Sequence, residues 1–71
     1  MTLLSRVFIA QLPLGRQDNG YSVLVEEAEL CQDGAVEVKN EYVTDLWAKH
    51  YDLAQELAIE RFGKDCFEWR A

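Results

Sequence analysis

The sequence predicts an α+β fold: an antiparallel β-meander of three strands, one long amphipathic helix on one sheet face, and a short C-terminal strand. Three observations carry it. Apolar residues alternate or run continuously from Leu3 to Val43, recur at helical spacing from Leu46 to Phe62, and alternate again at Phe67 and Trp69. Turn residues stand where the period changes, at Pro13–Gly20, Asp33–Gly34 and Gly63. The chain has 71 residues and is 49% hydrophobic, too apolar for disorder and of a size where one domain, residues 1–71, folds around a thin core.

From Leu3 to Leu12 the apolar residues occupy both alternating sets, Ser5, Val7, Ile9 and Gln11 on one side and Leu4, Arg6, Phe8 and Ala10 on the other. A strand covered on both faces has this pattern, so the first strand is expected at the centre of the sheet. Pro13 ends its ladder, and Gly15, Asp18, Asn19 and Gly20 supply turn chemistry.

The second strand is expected over Tyr21–Leu30, where Tyr21, Val23 and Val25 share one parity and Ala28 and Leu30 the other. A β-bulge at Glu26–Glu27 would restore Ala28 and Leu30 to the core and leave the glutamates in water; the alternative is a strand that simply ends early. Cys31, Gln32, Asp33 and Gly34 fit a type I turn closed by a left-handed glycine, the three-residue hairpin loop. That loop sets Leu30 opposite Val36, Ala28 opposite Val38, Glu29 opposite Glu37 and Glu27 opposite Lys39. A two-residue loop would mix apolar with charged partners, so the hydrophobic pattern selects the longer one.

The third strand, Ala35–Val43, is expected to turn Val36, Val38 and Tyr42 inward and Glu37, Lys39 and Glu41 outward. Thr44 or Asp45 can cap the helix and Gly63 close it. Around that helix Leu46, Trp47, His50, Leu53, Leu57 and Phe62 fall on one broad face, and Ile59 stands apart as an exposed apolar spot. The last strand, Lys64–Ala71, is expected to return parallel to the first, giving the sheet order 4-1-2-3.

Charge is concentrated. The segment 26–45 holds Glu26, Glu27, Glu29, Asp33, Glu37, Glu41 and Asp45 against Lys39, and this imbalance equals the whole formal net charge of −6. The charges outside it cancel. Phosphates and anionic membrane surfaces are bound chiefly through Lys and Arg, so direct nucleic-acid and membrane binding are both disfavoured. An acidic patch instead attracts a basic protein surface. These same charges also guard a sheet edge against pairing with another sheet.

No catalytic constellation is visible, and the expectation is a non-enzymatic protein without cofactor or metal. His50 is the one imidazole and falls on the inner face of the expected helix. Cys31 and Cys66 have acidic neighbours that disfavour a thiolate, and with one histidine they do not complete a zinc site. The acids lack calcium-loop spacing, and there is no glycine-rich phosphate loop. Cys31 and Cys66 could pair in an oxidising compartment, but the opening MTLLSRVFIAQLPLG lacks a basic head and a long apolar run, so the expectation is a cytoplasmic protein with reduced thiols.

Carboxylates on alternate strand residues stand about 6.6–7 Å apart, close to the phosphate spacing of a nucleic-acid backbone. In small size, acidic charge and lack of motif the chain resembles the phage-borne inhibitors of bacterial defence, the anti-CRISPR proteins in particular. That resemblance implies a phage protein in the host cytoplasm whose acidic hairpin acts as a DNA mimic, with Glu26, Glu27, Glu29, Asp33, Glu37, Glu41 and Asp45 occupying the basic DNA-binding groove of a Cas subunit of a CRISPR effector. The alternative is a small adaptor or homo-oligomerising subunit, monomer or homodimer, because one helix covers only one face of a sheet and leaves the other bare.

Overall fold

The computed structural model describes residues 2–11 and 20–71. Strands β1 (Thr2–Ala10), β2 (Tyr21–Leu30) and β3 (Val36–Ala48) form one antiparallel sheet in the order β1-β2-β3, followed by helix α1 (Tyr51–Phe62). The α+β meander is therefore present. The turn read from Gly15, Asp18 and Asn19 lies outside the described residues.

The sheet order differs from 4-1-2-3. Among the described residues the fourth strand is replaced by turns and a single antiparallel bridge from Arg70 to Ser5. The segment does lie along the free edge of β1, where Val7 N–H donates to Cys66 O and Ser5 and Arg70 exchange two backbone bonds. It runs against β1, not with it. Its short turns reverse the chain right after α1, so Arg70 reaches Ser5 from the opposite direction. The central strand is consequently β2, paired with β1 from Thr2↔Leu30 to Ala10↔Ser22 without interruption and with β3 on its other side.

That uninterrupted pairing decides where the bulge goes. An extra residue in β2 would break two ladders at once, so the insertion sits in β3 instead: Ala28 pairs with Val38 but Glu27 pairs with Asn40, leaving Lys39 as the extra residue. The hairpin itself closes as the sequence predicts, with Cys31 N–H donating to Ala35 O, Gly34 at φ 90°, and Leu30↔Val36 and Glu29↔Glu37 opposed. The expected Glu27–Lys39 pair is the one that shifts.

A second irregularity, between Leu24↔Val43 and Ser22↔Trp47, carries β3 on to Ala48. Thr44, expected to cap the helix, serves this irregularity: its Oγ1 donates to Val23 O (2.7 Å) and accepts from Leu46 N–H (3.1 Å). Val43, Thr44, Leu46 and Trp47 are β-branched, aromatic or aliphatic residues that suit a pleated surface, and pairing with the far end of β2 keeps them extended. The helix is thus shorter than expected. Its N-cap is His50, which is exposed, not inward-facing, and makes no side-chain capping bond. Gly63, at φ 99°, ends the helix with its N–H bonded to Ile59 O, a backbone angle that glycine adopts without strain.

The core lies between α1 and one sheet face. Ala54 and Ala58, one helical turn apart and fully buried, let the helix approach Val7 and Val23 closely, and Ala48 and Cys66 complete the cluster. Tyr21 meets Tyr51 edge to face at 5.6 Å. Among the described residues Val23 is the one large side chain that is fully buried. The helix-side core is made mostly of small residues and is correspondingly shallow.

Candidate protein-interaction site

Because side chains alternate along a strand, the register assigns every residue of the sheet to a face. The odd residues Val7, Val23 and Val25 join the cluster under α1. Leu24 and Ala28 are buried but stand outside that cluster, and they belong with Leu4, Phe8, Leu30, Val36 and Val38, their cross-strand partners or neighbours of the same parity. Among the described residues no helix lies on this face. Ala28, Leu30, Val36 and Val38, expected in the core, are here instead, because no bulge in β2 turns them toward α1.

The bare face has two apolar halves. Toward the hairpin end lie Leu4, Ala28, Leu30, Val36 and Val38. Toward the other end lie Phe8, Leu24, Val43 and Trp47. Val38, Val43 and Trp47 retain 46%, 55% and 45% of their accessible surface. The Trp47 ring lies directly over Gly20, where a Cβ would collide with the indole, so that glycine lets the ring lie flat against the chain. Three strands at about 4.8 Å spacing and roughly nine residues long give a face of about 15 by 30 Å, or at least ~400 Å². The exposed apolar residues of this face form two patches, one toward each end, and an apolar patch rimmed by polar residues is the kind of surface that interaction sites use.

A polar row crosses the middle of this face. Arg6, Glu26 and Glu41 are direct cross-strand neighbours on β1, β2 and β3. Arg6 Nε donates a short hydrogen bond to Glu26 Oε1, and the Arg6 guanidinium carbon sits 4.6 Å from the centre of the Trp69 ring. The C-terminal segment thus holds the arginine from the edge by a cation–π contact while Glu26 holds it from the centre. Glu26 is 7% exposed, a buried carboxylate that needs this charged partner. Glu41 is exposed at the end of the row.

The seven acids singled out in the sequence do not form one surface. Glu26 and Glu41 lie on the bare face. Glu27, Glu29 and Glu37 lie on the helix-side face, past the half that α1 covers; Glu27 and Glu29 line a shallow concavity of about 330 Å³ together with Leu3, Ser5, Lys39 and Asn40. Asp33 is at the hairpin tip, accepting from Ala35 N–H (3.0 Å). Asp45 is on the far part of β3, 3.6 Å from Arg61 of α1.

Several of these acids have local partners. Glu37 takes the Lys39 ammonium at 3.1 Å, and that hydrogen bond, reinforced by its charge, raises the lysine pKa above its ordinary value. Glu27 Oε1 accepts from Tyr42 OH (3.0 Å) and Asn40 Nδ2 (3.4 Å), and the carboxylate raises the Tyr42 pKa by opposing ionisation of the phenol. Tyr42 faces the acids because the insertion at Lys39 reverses its side relative to Val36 and Val38. Cys66 is buried, which raises its thiol pKa, while Cys31 is half-exposed; both are free. Among the described residues no three His, Cys, Asp or Glu side chains gather as metal ligands would, and no helix is long and apolar enough to cross a membrane.

No family model, curated protein or solved structure matches the chain. The geometry alone must carry the functional reading. Sequence reasoning missed Val43 and Trp47 as exposed residues of the face that α1 leaves open, and missed Arg6 as the partner of Glu26. The signal for the face was the run Leu4, Arg6, Phe8 on β1, which shares one parity and cannot face α1 together with Val7.

Proposed function

We propose that this chain is a non-enzymatic assembly module, a small subunit that associates with a second copy of itself through the bare face of its sheet. The observation that carries the reading is the pair of exposed apolar patches, Leu30, Val36 and Val38 on one side of the Arg6–Glu26–Glu41 row and Val43 and Trp47 on the other. Its physical rationale is the thinness of the core under α1: a single small core supplies few kcal/mol, and chains of this size gain stability from a partner when they lack disulfides or metals. Packing two such faces about 10 Å apart makes a β-sandwich with the helices outside and gives each copy the second core that it lacks.

The test is the accessibility of the face to a soluble paramagnetic agent in solution NMR. The Val38 and Val43 methyl signals should be protected at high protein concentration and become relaxed on dilution. Equal relaxation at all concentrations would refute association through this face.

A second reading rests on Glu27, Glu29 and Glu37, which stand together with Asp33 nearby on the half of the helix-side face that α1 leaves open. Here the hairpin engages a basic, nucleic-acid-binding protein groove, and the resemblance to anti-CRISPR inhibitors makes a Cas subunit the partner to try. Association of that kind weakens steeply with salt. Reversal of Glu27, Glu29 and Glu37 to lysine should abolish it; binding that survives the triple reversal rejects this reading.

A further inference from the structure

The polar row fixes how two copies meet, an inference that rests on association through the bare face. Two sheets packed face to face in a symmetric pair are related by a two-fold axis lying between them, and the axis has two simple orientations. An axis across the strands sets each member of the row against its own copy: arginine on arginine and both glutamates on glutamates. An axis along the strands, over β2, reverses the row, so β1 of one copy faces β3 of the other. Then the positive end of each row meets the negative end of its partner's, and each apolar half meets the same half of its partner; Glu26, on the central strand, faces its own copy in either arrangement, so the two axes differ at Arg6 and Glu41.

We infer that two copies pack bare face to bare face about a two-fold axis that runs along β2, so that Arg6 of each copy meets the partner's Glu41. Three features of the monomer prepare this contact. Arg6 is held in place by Trp69 and Glu26 before association, which reduces the entropy lost on pairing. Glu41 is exposed and stands at the far end of the same row. The row is the polar interruption of the apolar face, and a polar pair inside an apolar interface specifies register because misaligned copies leave it desolvated and unpaired.

The test is a charge exchange between two differently isotope-labelled full-length chains, read by native mass spectrometry. In the Glu41→Lys homodimer both crossed contacts become repulsive, and in the Arg6→Glu homodimer both become acid against acid. Each alone should dimerise at least about tenfold more weakly than the wild type, since like charges facing one another across an interface are costly. When they are mixed, both crossed contacts are again opposite in sign, so the heterodimer should predominate well beyond the statistical share. Arg6→Glu places a carboxylate beside Glu26; if circular dichroism shows that it does not fold, Arg6→Gln replaces it, and a heterodimer excess with Glu41→Lys is still expected. A wild-type dimer whose variants dimerise as well as it does, or mix at random, overturns the axis while leaving the bare face as the association surface. A wild-type chain that is monomeric at every concentration overturns both.

Discussion

The two faces of one sheet differ in what covers them, and their residues differ accordingly. On the α1 side the buried residues are small, Ala48, Ala54, Ala58 and Cys66 around Val7 and Val23, and larger ones such as Ile9, Tyr21 and Leu57 are only partly buried around them. On the other side larger residues, Leu24, Phe8, Leu30, Val38, Val43 and Trp47, surround a charged row, and several are open to water. A helix that must sit close needs small side chains. A face that meets another sheet carries larger ones that interdigitate across about 10 Å. The difference shows that large apolar side chains of this sheet are directed away from the chain's own helix as well as toward it, where Ile9, Tyr21, Val25 and Leu46 pack against the small-residue cluster.

Substitutions that separate the two faces test this contrast. The largest effect is expected from Val38→Glu with Val43→Glu, which places two carboxylates in the apolar halves of the bare face. Both sites are half-exposed in the monomer, so its thermal unfolding at low concentration should change little, while self-association should weaken by about a hundredfold or more because a charge would be buried without a partner. Sedimentation equilibrium measures the loss. On the covered face Ala58→Leu should do the reverse: overpacking against the sheet should lower stability by about 1–3 kcal/mol in urea unfolding, with the bare face left intact. Equal sensitivity of association to both changes would remove the distinction between the faces.

Smaller effects sharpen the comparison at the hairpin and at the C-terminal segment. Glu29→Lys replaces the like-charge pair with Glu37 by an opposite one, and should raise stability by about 0.2–1 kcal/mol, visible as a higher denaturant midpoint. Cys66 is buried on the covered side, and burial raises its pKa in the folded chain. The folded state therefore keeps its proton to higher pH than the unfolded state does. Its contribution to stability is complete below the unfolded thiol pKa and falls as pH rises through and beyond it. Thiol labelling should accordingly modify Cys31 first at neutral pH, with Cys66 reacting only as the chain opens; simultaneous labelling would show that the segment 64–71 does not protect it.

What was legible in the sequence was local. Asp33 and Gly34 dictated a three-residue loop, and the loop dictated Leu30 opposite Val36 and Glu29 opposite Glu37, because any other register mixes apolar and charged partners. The long-range choices were not legible. The first strand looked central because it is apolar on both sides, yet it lies at the sheet edge with the C-terminal segment against it. The strand that is central, β2, looked partly solvated because it carries Glu26, Glu27 and Glu29, and nothing local reveals that Arg6, twenty residues earlier, neutralises Glu26. The parity change between Val25 and Ala28 was read as a bulge or as a strand that ends early, and the structure shows neither: β2 runs on to Leu30 with apolar residues on both faces, since a central strand cannot gain a residue without disturbing both neighbours. The acidic segment was legible as charge but not as a surface, because alternation along paired strands divides Glu26 and Glu41 from Glu27, Glu29 and Glu37, and β3 carries Asp45 away to Arg61.

The mass of the chain in solution tests the central claim most directly. Sedimentation velocity over a dilution series should give a species of twice 8.2 kDa at high concentration that dissociates on dilution, and the Val38→Glu, Val43→Glu chain should sediment as a folded monomer throughout. A wild-type chain that stays at 8.2 kDa across the whole series, or a double variant that dimerises like the wild type, would contradict the assignment of the bare sheet face.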